Sequence, residues 1–233
     1  MTTELPPRLK PLVKQYEECA QGPVTYSPTS WAKDWPNGAI RYLQSLQGEH
    51  TEPADRGRRT VDRRHLLLAC QRMDLDDELS VLQTFVLVMA WGGGMGSRTI
   101  YNTRLALADP AGAYQMLSRT ARTLRDAGDS TDLVEVYDAW RLHRVGRAFF
   151  TKWFAFAGYV EHRKWQPLIL DRRVFRTLND TLEVSTETLA GVKSRARRYH
   201  AYVEAMHAWS PEFGLTASEL EWILFRHNGD SLT

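Results

Sequence analysis

Apolar residues recur along most of the chain at three- and four-residue intervals, the spacing that lines one face of an α-helix. The pattern predicts a first helix in "RLKPLVKQYEECA" from residue 8 and a Pro/Gly/Ser-containing loop near 22–30. Further helices follow in "RRHLLLACQRM" from 63 and "DELSVLQTFVLVMAW" from 77, the second with acidic residues in its first turn, where they suit the helix dipole. "GGGMG" at 92–96 should stop that helix, and Ser97 should cap the next, "SRTIYNTRLALAD". "PAGAYQMLSRTARTLRDAG" opens on Pro110 and closes at Gly128, the usual asymmetry of a helix. "DLVEVYDAWRLH", "RAFFTKWFAFA", "DRRVFRTLND", "LAGVKSRARRYHAYVEAMHAW" and "ASELEWILFRH" complete the set. Alternating β-rich runs do not recur at strand-like spacing, so the predicted class is all-α, a single helical domain over residues 1–233. The segment 48–59, "GEHTEPADRGRR", is the most mobile-looking connection.

Composition adds boundaries to this picture. The 233 residues, 43% hydrophobic and 25% charged, are those of an ordinary globular protein. No apolar run is long enough for a membrane span, and "MTTELPPRLK" lacks a signal-peptide core, so a cytoplasmic, nucleoid-associated protein is expected. Cys19 and Cys70 form no CxxC pair and cannot build a disulfide framework or a four-cysteine metal or cluster site. Net charge is only +2, but nine basic residues against two acidic ones lie between Trp140 and Arg176, leaving the rest of the chain at −5. Two more basic clusters are "KSRARR" at 193–198 and "DRGRRTVDRR" at 55–64. Such concentration makes a polyanion, nucleic acid above all, a candidate partner.

Within the basic window, "GRAFFTKWFAFAG" at 146–158 is crowded with aromatic residues around one lysine. On a helical wheel the Phe and Trp side chains share a broad apolar face, while Lys152 falls beside Ala148, Thr151 and Ala155. An outward-pointing lysine on a core helix accounts for this. So does an amine on a face of small side chains, which lets a backbone or ligand come close. The turn "HRVG" before this helix offers backbone N–H groups that can hold a phosphate, with Arg144 and Arg147 beside it. Downstream, Asp171 in "QPLILDRRVFRTLND" follows a short apolar run and stands where it can cap a helix or face a reaction centre.

A turn with Val145 and Gly146, a lysine on the next helix, and then "PLILD-RRV-RTL" resembles the helix-hairpin-helix DNA glycosylase superfamily. The last block is similar to the P-I-L-D-x-x-V-x-R-V-L segment of its adenine glycosylases. A lysine 19 residues before the aspartate is similar to the lysine–aspartate pairing of the 8-oxoguanine DNA glycosylases. "FFTKWFAFAG" resembles a bacterial family with that fold, akin to the archaeal 8-oxoguanine glycosylases. The motifs span about residues 131–180, and "MAWGGGMGSR" at 89–98 is a weaker echo. Two departures stand out: Lys152 lies six residues after Gly146 where the common pattern has two, and Arg144 replaces the first glycine of the usual turn.

The resemblance implies helical lobes with a cleft between them, a monomer that binds double-stranded DNA containing a lesion or modified base, and no cofactor or metal. It implies that a base is swung out of the duplex. The Lys152 amine attacks the sugar C1′, and strand cleavage can follow from the Schiff base. Attack needs the neutral amine, which burial and nearby cations favour. Asp171 would stabilise the cationic sugar. Arg144, Val145, Gly146, Arg147, Arg172 and Arg173 would hold DNA. Trp91, beside the glycine run, and Trp222, in the last helix, are candidate walls of the base pocket that no motif singles out. Oxidised guanine is the family-weighted base and a modified phage base the alternative. A catalytically silent helix-hairpin-helix module, with Lys152 merely touching phosphate, is the rival from another class. "WGGGMG" lacks the P-loop lysine and follows a helix, so a loop or pocket wall is expected there. His200, Glu204 and His207 share a helix face that reads as a surface or interface rather than a metal site.

Overall fold

The computed structural model describes residues 4–16 and 21–230. Its α-helices are α1 (Leu9–Gln15), α2 (Pro28–Ala32), α3 (Arg63–Arg72), α4 (Glu78–Gly93), α5 (Ser97–Ala106) and α6 (Pro110–Asp126). They continue with α7 (Asp132–Ala139), α8 (Arg147–Ala157), α9 (Arg172–Arg176), α10 (Thr186–Ala190), α11 (Arg195–Trp209) and α12 (Ala217–His227). Three short strands are β1 (Val24–Tyr26), β2 (Glu52–Ala54) and β3 (Arg58–Val61), and a 3-10 segment runs over Asn37–Gln47. Among the described residues the fold is all-α with this one small sheet.

The chain forms two compact units. One holds α1, α7 and α9 to α12; the other holds the sheet, α2 to α6 and α8. In the second unit α4 is the spine: Val81, Leu82 and every residue from Thr84 to Trp91 are buried, so this helix is covered all round rather than amphipathic. The 3-10 segment, α3, α5 and α8 pack against it. In the first unit α11 plays the same part, with Tyr199, Tyr202, Val203, Met206 and Trp209 buried and α7, α10 and α12 around it.

Local signals explain most boundaries. Asp77 caps α4 by accepting from the N–H groups of Leu79 and Ser80. Thr216 and Glu219 form a reciprocal capping box at the start of α12. The helix α4 stops inside the glycine run, as expected: it reaches Gly93, and Gly94 (φ 52°) ends it, because glycine alone takes this backbone without strain. Other expectations need correction. Gly96 occupies the N-cap of α5 and Ser97 is already helical. The stretch read as one helix from 189 is broken: Gly191 (φ 65°) terminates α10 and Ser194 caps α11. The segments read as loops near 22–30 and 48–59 contain an antiparallel sheet of order β1-β3-β2. Strands of three or four residues are too short to show alternation, and their pairing brings together residues up to 37 positions apart, Val24 with Val61. The first predicted helix reaches into residues 17–20, Cys19 among them, outside the described residues.

Candidate active site

Lys152 is buried, with 6% of its surface exposed, in the middle of α8. Aromatic packing fixes that helix. Trp153 meets Phe85 edge to face and donates its indole N–H to the Leu117 carbonyl at 3.3 Å. Phe156 lies edge-on to Trp91 with centroids 4.9 Å apart. Phe150 and Phe154 both touch the Trp140 ring. Each such buried ring contributes roughly 1.5–3 kcal/mol, so the helix has one rotational setting, with a neighbour close against Lys152.

That neighbour is the glycine run at the end of α4. A Cβ on Gly92 would stand 2.7 Å from Cδ of Lys152, 3.1 Å from its Cε and 3.2 Å from the Phe149 ring. The lysine stem therefore lies against bare backbone, and the glycine is required for the stem to lie there. The amine donates to the Ala148 carbonyl at 2.8 Å and sits 5.4 Å from the centroid of the Phe149 ring. Side chains on a helix lean toward its N-terminus, and this one reaches back toward the turn before α8. The amine is thus nearer the turn than a separation of six residues from Gly146 suggests.

The turn is built by Trp140, whose indole N–H donates to the Val145 carbonyl at 3.2 Å. Val145 is buried and its N–H donates to the Leu142 carbonyl, so it anchors the turn rather than facing outward. Arg144 takes the left-handed backbone (φ 61°) that a glycine would adopt more cheaply, and its side chain is exposed. Gly146 is exposed, with no atom within 4 Å of where a Cβ would be, and no side chain caps the start of α8. The N–H groups of Gly146 and Ala148 have no hydrogen-bond partner among the described residues. Nothing in the protein itself calls for glycine here, while an open backbone at a helix start suits a phosphate.

Asp171, 8% exposed, caps α9 by accepting from the N–H groups of Arg173 and Val174 at 2.9 and 3.1 Å. The extended segment leading to it is held by hydrogen bonds. Tyr199 donates to the Leu168 carbonyl at 2.7 Å and Tyr202 to the Ile169 carbonyl at 2.9 Å. The Glu221 carboxylate, itself buried, accepts from the Ile169 N–H. Burial first, and then the charge of Glu221, push the Tyr199 hydroxyl well above its ordinary pKa, so it stays protonated and donating. Upstream, His207 accepts from the Gln166 N–H at 2.9 Å, and burial holds its imidazole below the ordinary pKa, in keeping with a neutral acceptor.

The other expected site residues fall as follows. Arg172 and Arg173 are exposed at the start of α9, and the Arg173 guanidinium lies 4.7 Å from the centroid of the Phe225 ring. Trp222, half-buried on α12, stacks on that same Phe225. Trp91 is buried next to Gly92, and its indole N–H has no hydrogen-bond partner among the described residues. Lys152, Trp91 and the turn 144–147 belong to the second unit; Asp171, Arg172, Arg173 and Trp222 belong to the first. His200 and Glu204 both bond Ser130, tying the loop before α7 to α11. Cys70 is buried and its thiol is pushed up to about 12, which removes it as a nucleophile. Two surface grooves of about 390 and about 430 Å³ open elsewhere in the second unit, and neither is lined by Lys152. Glu221, Gly92 and Phe225 support the expected residues without having been expected themselves. Gly92 had a signal, the glycine run; Glu221 reads only as one more polar position on an amphipathic helix.

A helical chain with a buried lysine behind a basic turn and a carboxylate fixed at a helix start has the make-up of an all-α, glycosylase-like protein. The sequence model of the family described as "Putative 8-oxoguanine DNA glycosylase OGG-like protein" matches residues 17–225, and the chain belongs to that family. No curated protein and no solved structure matches the chain. Membership gives the chain a DNA glycosylase-like role in DNA repair and implies that it binds DNA. Among the described residues, no helix is long and apolar enough to cross a membrane.

Proposed function

We propose that this protein excises an oxidised or otherwise modified base, 8-oxoguanine-like above all, from duplex DNA. The target nucleotide is flipped out, and the neutral Lys152 amine forms a bond to the sugar C1′ while the glycosidic bond breaks. The bonding pair leaves with the base, which takes up a proton, and the amine nitrogen loses one. Opening of the sugar ring then gives a Schiff base, from which elimination of the 3′ phosphate constitutes lyase activity. The Asp171 carboxylate stabilises positive charge developing on the sugar. The turn at 144–147, read as a helix-hairpin-helix element, and the arginines at 172 and 173 hold phosphates. Trp91, whose indole N–H has no partner among the described residues, and Trp222 serve as walls for the base.

The observation that carries this reading is the burial of Lys152 against Gly92, in a chain of a glycosylase family. A lysine whose work was a surface phosphate contact would need neither the burial nor the glycine. The test is a panel of labelled duplexes, each with one modified base, scored for alkali-labile sites. Release from an 8-oxoguanine-type duplex by the wild type and not by Lys152→Ala is expected. Equal release by both proteins, or release from none of the duplexes, contradicts the proposal.

A further inference from the structure

The β2–β3 hairpin carries a basic edge that the reading above does not use. Its strands pair Glu52 with Thr60, Pro53 with Arg59 and Ala54 with Arg58, and Asp55, Arg56 and Gly57 form the tip. Segment 55–64 contains five arginines against two aspartates. Two of the arginines work inside the protein. Arg59 binds the side chain and the carbonyl of Thr51, both at 2.6 Å, which ties the hairpin to its own base. Arg63 opens α3 and lays its guanidinium 5.4 Å from the centroid of the Phe156 ring, on the lysine-bearing helix.

Arg56, Arg58 and Arg64 are different. All three are exposed and make no ion pair among the described residues. Other arginines of the same unit are neutralised locally: Arg41 by Glu78, Arg72 by Glu49, Arg104 by Asp34 and Arg122 by Asp76. Alternation along β3 puts Arg59 and Val61 on one face, with Val61 buried, and sends Arg58 to the other. Arg56 at the tip is held at φ 59°, in the left-handed region. Glycine or asparagine takes that conformation more readily, and a longer side chain there costs about 1 kcal/mol. The tip thus keeps an arginine at a local cost. Pro53 on the outer strand β2 removes an edge N–H, so the edge is unsuited to pairing with another strand.

We infer that this hairpin is a second, sequence-independent DNA contact, in which Arg56 and Arg58 bind phosphates of the duplex away from the flipped base. This rests on the glycosylase reading for the choice of duplex DNA as the polyanion. The hairpin leads directly into α3, which packs on α8, so one helix joins the hairpin to the helix bearing Lys152.

The experiment is anisotropy binding to an undamaged duplex of about 20 base pairs, long enough to extend beyond one recognition site, over a range of salt. Arg56→Gln/Arg58→Gln is compared with wild type and with Arg122→Gln, whose partner is Asp76. Loss of two phosphate contacts should reduce the slope of log K against log salt by about 1.8, from roughly 0.9 per phosphate. Affinity near 0.1 M salt should fall about tenfold or more, with an unchanged thermal midpoint, while Arg122→Gln behaves as wild type. A wild type that binds while the double variant keeps its slope and affinity overturns the hairpin contact alone. A wild type that does not bind the duplex overturns both this inference and the glycosylase reading.

Discussion

Lys152 and Asp171 are held by opposite means. The lysine is placed by shape: a ladder of rings sets the rotation of α8, and the missing side chain of Gly92 leaves a channel for the stem. The aspartate is placed by polarity: two backbone N–H groups bind it directly, while Tyr199, Tyr202 and Glu221 fasten the segment that carries it. Shape tolerates almost no added atom, whereas a hydrogen-bonded arrangement loses one bond at a time. The two sites should therefore fail differently.

Asp171→Asn gives the largest expected effect on chemistry with the least on folding. Asparagine caps a helix about as well as aspartate, so the thermal midpoint should barely move, while base release falls by roughly 100-fold or more through loss of the charge. Equal losses in Asp171→Asn and Asp171→Ala that follow stability would instead make the residue a cap alone. Gly92→Ala comes next. The added methyl forces the lysine stem to move or overpacks the contact, costing about 1–3 kcal/mol. Base release should drop 10-fold or more while binding of undamaged duplex is retained; Gly128→Ala, where no neighbour lies within 4 Å, is the control. Tyr202→Phe leaves the Ile169 carbonyl one donor short and should cost about 1–2 kcal/mol by denaturant unfolding, with a smaller fall in rate.

The smallest effect is with pH. Burial holds the imidazoles of His207, His227 and His50 below their ordinary pKa. Between the lowered folded value and the unfolded value near 6.5, the unfolded chain binds more protons, so stability is full above pH 6.5 and declines as pH falls through that window. The thermal midpoint should be lower at pH 5.5 than at pH 7, and His207→Gln should flatten part of the fall.

Much of this organisation was legible in the sequence. The long helices were written in three- and four-residue periodicity, and α8 and α12 begin and end where the pattern places them. Asp171 as a cap followed from its place before "RRVFR". The sheet was not legible, because Val24 finds Val61 only through tertiary structure and the strands are too short to alternate. The setting of Lys152 was half legible: small neighbours on its helix signalled a close approach, yet the sequence could not say that Gly92 makes it. Arg144 looked like a missing glycine, and the backbone shows that arginine keeps the left-handed turn. Glu221, buried and bonded to Ile169, left no trace, since a lone carboxylate on a helix reads as surface.

The central claim is that the Lys152 amine becomes covalently joined to DNA. Sodium borohydride added during reaction with a duplex carrying 8-oxoguanine reduces the Schiff base to a stable protein–DNA adduct that shifts in a denaturing gel. Wild type should give this band and Lys152→Ala should not, while both bind undamaged duplex to within about threefold. An adduct of equal yield with Lys152→Ala, or no adduct from a wild type that releases the base, would contradict the account.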